Sequence, residues 1–485
     1  MKRILFLLIA LCALQVAAKK APKIILLSDT HVMAPSLVVA DGKAIEKYAA
    51  SDMRMIRFSA EIFSTAIDKA IAAKPDMVLI TGDISKDGER QSHEWVAKQL
   101  YRLKKAGIKA LVIPGNHDIS NANATFFNGD KKSDAPTITR EEFAQIYSDF
   151  GYGAGSLRDP ASLSYATEAV PGLVIIGIDS NRDEENLLKQ RGDSVNTYHT
   201  AGRVKDEALE WVCQQAKKAR DEGKQVIAMM HHHLIEHFDS EARFLNKYVV
   251  ADNENLRNAL INAGIHTILT GHLHVADIAR DYNNGDSITE VASGSLITYP
   301  FYYRTLTLKG DKMTVETAQI KSVASNHNLL AEGKTHITQA VPGLLDGLLN
   351  KALGKMDKFL DQMKGMIAML GGGGDIDLKE QKGAMRELCH QQFDEIATKA
   401  YVAILEGNEG QNPDSKVVID GLEEGIKRTL DFSFPGGMGS MIQSFMKENA
   451  MPQFDNILRS MMEDRNHCGT PQEVVVDDMK AQFRN

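Results

Sequence analysis

Residues Leu111–Asp118 read LVIPGNHD, an apolar run that ends in an amide, an imidazole and a carboxylate with no spacer. The apolar half predicts a buried strand. A turn would account for Gly115 and Asn116, but it does not call for His117 and Asp118. The same join recurs along the chain. Asp29 and His31 follow IILLS, Asp83 follows LITG, His231, His232 and His233 follow IAMM, and His272 and His274 follow ILTG.

The strands predicted by IILLSD, DMVLITGD, ALVIPGN, LVIIGID, VIAMMHH and TILTGH are separated in several places by amphipathic stretches such as SAEIFSTAIDKAIAAK and EWVAKQLYRLKKAG. Continuous apolar strands are those covered on both faces, which points to an α/β protein. Ligands of open α/β sheets bind outside the carboxyl ends of the strands. Repeated Asp, Asn and His at those ends therefore predict one composite site.

The residue types narrow its chemistry. Carboxylates, an amide oxygen and imidazoles without a thiolate suit zinc, manganese or iron, and exclude copper(I) and iron–sulfur clusters. The donors are too many for one tetrahedral ion. Two ions about 3.5–4 Å apart, sharing a carboxylate, use them all.

The 485 residues are 43% hydrophobic and 25% charged, the balance of an ordinary globular protein. A net charge of −8 without a long basic run argues against a nucleic-acid polymer as main partner. MKRILFLLIALCALQVAAKK combines two cations, a short apolar run and small residues ending at Ala17-Ala18. That pattern is a secretory signal peptide over 1–18, so export to a periplasm or the outside is expected, with no integral span after cleavage. Cys213 sits in a helical pattern as a small hydrophobe, whereas Cys389 and Cys468 could pair in an oxidising compartment.

After GHLH, the shorter alternating runs ITEVASGSL and YRTLTLKGDKMTVETAQI predict antiparallel strands that finish a second sheet. From about residue 326 helical spacing takes over, with Leu345, Leu349, Met356, Leu360, Met363, Ile367 and Leu370 on one face. The expected organisation is a catalytic domain over 23–325 and an all-helical domain over 326–485. The helices offer a surface for a homo-oligomer.

DTH, GDISKDG, GNHD, the histidine after MM and GHLH resemble, in order, the motifs of calcineurin-like metallophosphoesterases. The resemblance covers roughly residues 23 to 320. It implies a four-layer fold of two packed mixed sheets flanked by helices. It also implies that Asp29, His31 and His274 hold one metal, Asn116, His231 and His272 a second, and that Asp83 bridges them. HHHLIEH lacks the prolines usual in that motif, so the choice between His231 and His232 stays open with His231 favoured. His233 and His237 are expected behind the ligands or at the surface. His117 would face the phosphoryl group, and Asp118 would orient it by hydrogen bonding.

Departures narrow the branch. GDISKDG and GNHD differ from the GDxVDRG and GNHE of the phosphoprotein phosphatases. Lys86 stands where purple acid phosphatases carry a tyrosine ligand. The pattern looks most like the phosphodiesterase branch, which implies a small substrate such as a cyclic nucleotide or glycerophosphodiester and attack by a metal-bridging hydroxide. Insertions at 32–57 and 119–165 flank the site, with Arg158, Tyr165 and Tyr299 as candidates to touch substrate. A phosphomonoesterase with the same metals is one rival reading. A binding or assembly protein acting through its helical tail is another.

Overall fold

The computed structural model describes residues 21–238, 241–310, 312–369, 379–407, 413–431, 443–444, 446–463 and 473–476. The signal-peptide segment 1–18 and Cys468, with its pairing to Cys389, lie outside the described residues. One sheet has six strands in the order β16-β15-β14-β1-β3-β4. These are β1 (Lys23–Leu27), β3 (Met77–Thr81), β4 (Lys109–Ile113), β14 (Tyr302–Lys309), β15 (Lys312–Gln319) and β16 (Glu473–Val476). A second has seven, in the order β12-β13-β11-β10-β9-β8-β7. They are β7 (Leu157–Arg158), β8 (Tyr165–Val170), β9 (Leu173–Ile178), β10 (Gln225–Met230), β11 (Thr267–Thr270), β12 (Asp277–Asn283) and β13 (Asp286–Ala292).

Why the strands are apolar throughout is visible in the second sheet. Ile175, Ile227, Met229 and Leu269 join the core shared with the first sheet. Their neighbours Ile176, Val226, Ala228, Met230 and Ile268 instead pack with Val212, Ala216, Leu256 and Leu260 of the helices Asp206–Asp221 and Asn253–Ala263. Successive side chains alternate faces, and here both faces are covered. The sheets meet where β4 packs on β8 and β9: Tyr165 Oη of β8 donates to the Val112 carbonyl at 3.0 Å, and Gly177 of β9 lies against Ile113. On the other side, helices Ser59–Ala73 and Arg90–Lys105 bury Ile62, Phe63, Val96 and Leu100 into the same core.

β1, β3 and β4 run parallel, as do β9, β10 and β11, so within each set the carboxyl ends emerge on one edge. The two insertions beside that edge share a small third sheet of β2 (Val38–Ala40), β5 (Thr125–Asn128) and β6 (Lys131–Asp134).

Beyond the sheets lie helices Leu329–Met369, Lys379–Glu406, Pro413–Asp431 and Met451–Glu463. Leu345, Met385, Leu388, Cys389, Phe393 and Leu422 form their own apolar cluster. Two details add to the helical pattern. The segment is not all helical, because Glu473–Val476 pairs antiparallel with β15 at the sheet edge. This EVVV run has three β-branched residues in a row, a strand signal too short to stand out beside long helical patterns. Nor do the helices begin a wholly separate core: Leu329, Ile337, Val341 and Leu405 pack into the cluster that holds the sheets.

Leu79, fully buried on β3 between β1 and β4, tests this core. Leu79→Ala is expected to destabilise by about 2–5 kcal/mol through lost burial and a residual cavity. Urea unfolding measures it, and a cost below about 1 kcal/mol would mean that β3 is not packed as described.

Candidate metal centre

At the shared edge each strand turns sharply, and the turning residues are those that carry the chemistry. Asp29, His31, Asp83, His272 and His274 have φ of 48°, 35°, 47°, 73° and 66°. Non-glycine residues rarely occupy that left-handed region, and where they do the strain tends to mark functional sites. Gly115 permits a close approach. A Cβ there would lie 2.2 Å from both the Asp83 amide nitrogen and Asp83 Oδ1.

Asp83 stands at the middle. Its Oδ2 is 3.4 Å from His231 Nε2, 3.6 Å from His31 Nε2 and 4.0 Å from His117 Nε2. Oδ1 accepts the His117 backbone N–H at 2.8 Å. To one side Asp29, His31 and His274 converge, with donor atoms within 4.8 Å of one another. To the other, Asp83, His231 and His272 do the same. Asn116 joins the second group, its Oδ1 3.1 Å from His231 Nε2, while its buried Nδ2 has no hydrogen-bond partner.

The outer nitrogens of the rings are held. His231 Nδ1 donates to the Thr81 carbonyl at 2.8 Å, which directs Nε2 at Asp83 Oδ2 and Asn116 Oδ1. His272 Nε2 donates to the Lys247 carbonyl at 3.0 Å, leaving Nδ1 for a ligand. His31 differs: Arg54 donates to its Nδ1 at 2.9 Å, and Asp52 clamps Arg54 in turn. With Nδ1 accepting, the ring proton sits on Nε2, so a cation there must displace it. His232 turns away, bonded to Ser180 Oγ at 2.8 Å and the Thr200 carbonyl at 2.9 Å. Burial drives its pKa down to about 3.

The electrostatics ask for positive charge. Burial alone would protonate Asp83, but His231, His117 and His31 hold its pKa well below the usual range. In return, against the effect of burial, Asp83 pushes His231 up to about 9. Imidazole nitrogens and carboxylate and amide oxygens gathered around a buried carboxylate fit two divalent ions of the borderline class.

One expected contact is absent. Asp118 does not orient His117; its carboxylate accepts backbone N–H groups from Gly115, Ile84 and Ser85 at 2.8, 3.0 and 2.8 Å. It fastens the GNHD turn to the GDIS turn instead. His117 Nδ1 meets Asp87 Oδ1 and the Lys86 carbonyl, each at 2.9 Å. Burial opposes a charge on His117, but Asp83 and Asp87 outweigh it and raise the pKa. Sequence reading missed Asp87, although GDISKDG contains it, and missed Arg54 within the flagged insertion.

The proposed substrate contacts also lie elsewhere. Tyr165 is core, Arg158 stacks on Tyr152 in an exposed strand, and Tyr299 Oη meets Glu406 at 2.6 Å. Aromatic neighbours of the centre are Tyr248, 4.9 Å from the His272 ring, and Tyr198, 6.3 Å from His117. Nor do His233 and His237 lie at the surface: both are buried.

The profile of the calcineurin-like phosphoesterases matches residues 22–276. The chain belongs to that family. A probable cyclic nucleotide phosphodiesterase of Moraxella catarrhalis (strain BBH18) is 21% identical over 213 residues, 44% of this chain and 63% of that protein. The alignment thus spans less than two thirds of the relative. Among solved structures, a dimetal phosphatase from Danio rerio is 14% identical at a TM-score of 0.40, covering 62% of this chain and 97% of that one. A purple acid phosphatase from yellow lupin (Lupinus luteus) seeds is 13% identical at a TM-score of 0.37, covering 62% and 52%.

Gly115→Ala tests the centre, because the added carbon must push Asp83 aside. A displacement on the order of 1 Å is expected to cost about 10²-fold in turnover, with metal retention weakened. Gly343→Ala, in a helix with open space around it, is the control and should be neutral or stabilising by roughly 0.5–1 kcal/mol. Unchanged phosphoesterase turnover and metal content in Gly115→Ala would contradict the packing described.

Proposed function

We propose that this calcineurin-like phosphoesterase is an exported, two-metal hydrolase of small phosphodiesters, such as a cyclic nucleotide or glycerophosphodiester. The observation that carries the reading is Asp83, whose one oxygen lies 3.4 and 3.6 Å from imidazoles of two separate donor groups. A carboxylate so placed suits a bridge. Asp29, His31 and His274 would hold one ion, and Asn116, His231 and His272 the other, the ions being manganese, iron or zinc. When bound, they supply an activated water and Lewis-acid stabilisation of phosphoryl charge. Export rests on the composition of residues 1–18, and the diester preference on the name of the Moraxella relative and on His117.

His117 has the features of a general acid. Asp87 and the Lys86 carbonyl fix Nδ1, so Nε2 projects toward Asp83 and the centre from a side chain 18% exposed. Asp87, bonded at Nδ1, favours the protonated ring, whose Nε2 proton would serve a departing oxygen. An alkoxide needs such a proton, being a poor leaving group. Lys86, fully buried, is held charged by Asp87 and Glu89 and steadies Asp87 in turn.

Chelation is expected to abolish turnover of bis(p-nitrophenyl) phosphate, and in the loaded enzyme this diester should outrun p-nitrophenyl phosphate. A faster monoester would reassign the enzyme to the phosphomonoesterases. Full activity in a verified metal-free sample would end the two-metal reading.

His117→Ala should slow an alkyl phosphodiester by about 10²–10⁴-fold, and an aryl nitrophenyl ester far less, at unchanged metal content. Asp87→Asn should show a weaker form of that selectivity. Asp118→Asn should instead lower stability without distinguishing the two leaving groups. Equal losses on both esters in His117→Ala would remove the acid role.

A further inference from the structure

Behind the centre lies a second cluster of ligating groups, built partly from the two histidines that HHHLIEH supplies and the centre does not use. His233 and His237 are 0% and 4% exposed, and their ring centroids are 4.4 Å apart. Three buried carboxylates surround them, from Glu241, Asp277 and Glu290. Asp277 Oδ2 accepts from His237 Nδ1 at 2.7 Å, which turns Nε2 toward Glu290 Oε1 at 3.4 Å. Glu290 is fixed: its other oxygen accepts the Leu234 and Ile235 backbone N–H groups at 2.9 and 2.6 Å, and Oε1 accepts from Thr270 Oγ1 at 2.5 Å. Glu241 is fixed likewise, its Oε2 accepting the His237 N–H at 2.7 Å while Oε1 lies 3.3 Å from His233 Nδ1.

Two of these approaches, His237 Nε2 to Glu290 and His233 Nδ1 to Glu241, are close yet are not hydrogen bonds. His237 Nε2, Glu241 Oε1 and both ring nitrogens of His233 are buried without a hydrogen-bond partner. Leaving such atoms unmatched is destabilising. A protonated His237 between Asp277 and Glu290 would explain that ring as an internal ion pair. It leaves His233 unexplained, because neither of its nitrogens is satisfied. A shared cation would engage one nitrogen of His233 together with His237 Nε2 and Glu290, whose donor atoms lie within 4.8 Å of one another, and Glu241 Oε1 stands beside them, 3.3 Å from His233 Nδ1.

We propose that His233, His237, Glu241 and Glu290 form a separate binding site for one divalent ion of the zinc class. Two imidazoles and two carboxylates are a donor set that such ions accept in four-coordination. Asp277 acts as the carboxylate behind a ligating histidine, fixing its tautomer and direction. None of the four ligands belongs to the Asp83 centre, so the two assignments stand or fall independently. The ion would tie the loop following β10 to β13, and so hold the chain immediately after His231 in place.

The test is metal stoichiometry of the full chain by inductively coupled plasma mass spectrometry after dialysis in metal-free buffer. The variant pair Asp29→Ala/His274→Ala, which weakens the Asp83 centre, should still retain one equivalent of zinc. Adding His237→Gln or Glu241→Gln should remove it. Cobalt(II) titration of the stripped wild-type chain, followed by visible absorption, provides a second measure that does not need the double variant to fold. It should saturate at three equivalents in the wild type and two in Glu241→Gln. Saturation at two in both, or a retained zinc indifferent to His237 and Glu241, would overturn the proposal. One equivalent in the wild type that is lost in Glu241→Gln would uphold this site and count against the two-metal centre.

Discussion

A carboxylate buried at the end of β3 sets the terms for the rest of this structure. Asp83 is 1% exposed, and removing its charge from water is costly unless cations or donors replace the solvent. The fold supplies a backbone N–H from His117 and three imidazoles from three different chain segments. Those segments can converge because the strands of both sheets end on one edge, and because Gly115 lets the GNHD turn lie directly against Asp83. The left-handed turns at Asp29, His31, Asp83, His272 and His274 are part of the same solution. Each reverses the chain at once, so that the side chain stays at the edge and is not carried past it.

Much of this was legible in the sequence, because the signal is local and repeated. An apolar run covered on both faces followed by Asp, Asn or His can be read without coordinates, and the residues so chosen do converge. What could not be read were pairings between segments. Asp118 looked like the partner of His117 because it is adjacent in sequence. The chain reverses between them, and Asp118 caps backbone groups at 2.8–3.0 Å while Asp87, 30 residues away, takes the imidazole. Tyr165 failed as a substrate contact for a related reason: alternation along a strand places it inside, and only the packing of β8 against β4 shows which side is in. The return of Glu473–Val476 to the sheet edge is a long-range pairing of the same kind.

The helical segment bears on the centre through specific contacts. His336 Nε2 donates to the Asp52 carbonyl at 2.5 Å, and the Asp52 carboxylate holds Arg54 at 2.7 and 2.9 Å. Arg54 in turn fixes the His31 ring. Two side chains and one backbone carbonyl thus separate the first long helix from a proposed ligand. At the far end of the next helix, Glu406 accepts from Tyr299 and Lys334, which ties that terminus to the loop before β14 and to the first long helix. A perturbation of the helices therefore has a physical route to His31, through the direction of one guanidinium.

Lys86 shows how a single position can change its task. In the purple acid phosphatase pattern the residue three after the GD aspartate is a tyrosine ligand. A lysine cannot replace it as an anionic donor, and an ammonium directed at the ions would repel them. Here it is fully buried, with its Nζ bonded to Asp87, 3.0 Å from Glu89 and 4.9 Å from the Tyr48 ring centre. The charge is thereby neutralised by Asp87 and Glu89, and Asp87 is left pinned and ionised. Because Asp87 holds His117, a residue that would serve elsewhere as a ligand is turned into the support of the proposed acid. On the proposed mechanism, the centre would forgo a metal–phenolate bond and have in its place a proton on the imidazole that Asp87 holds.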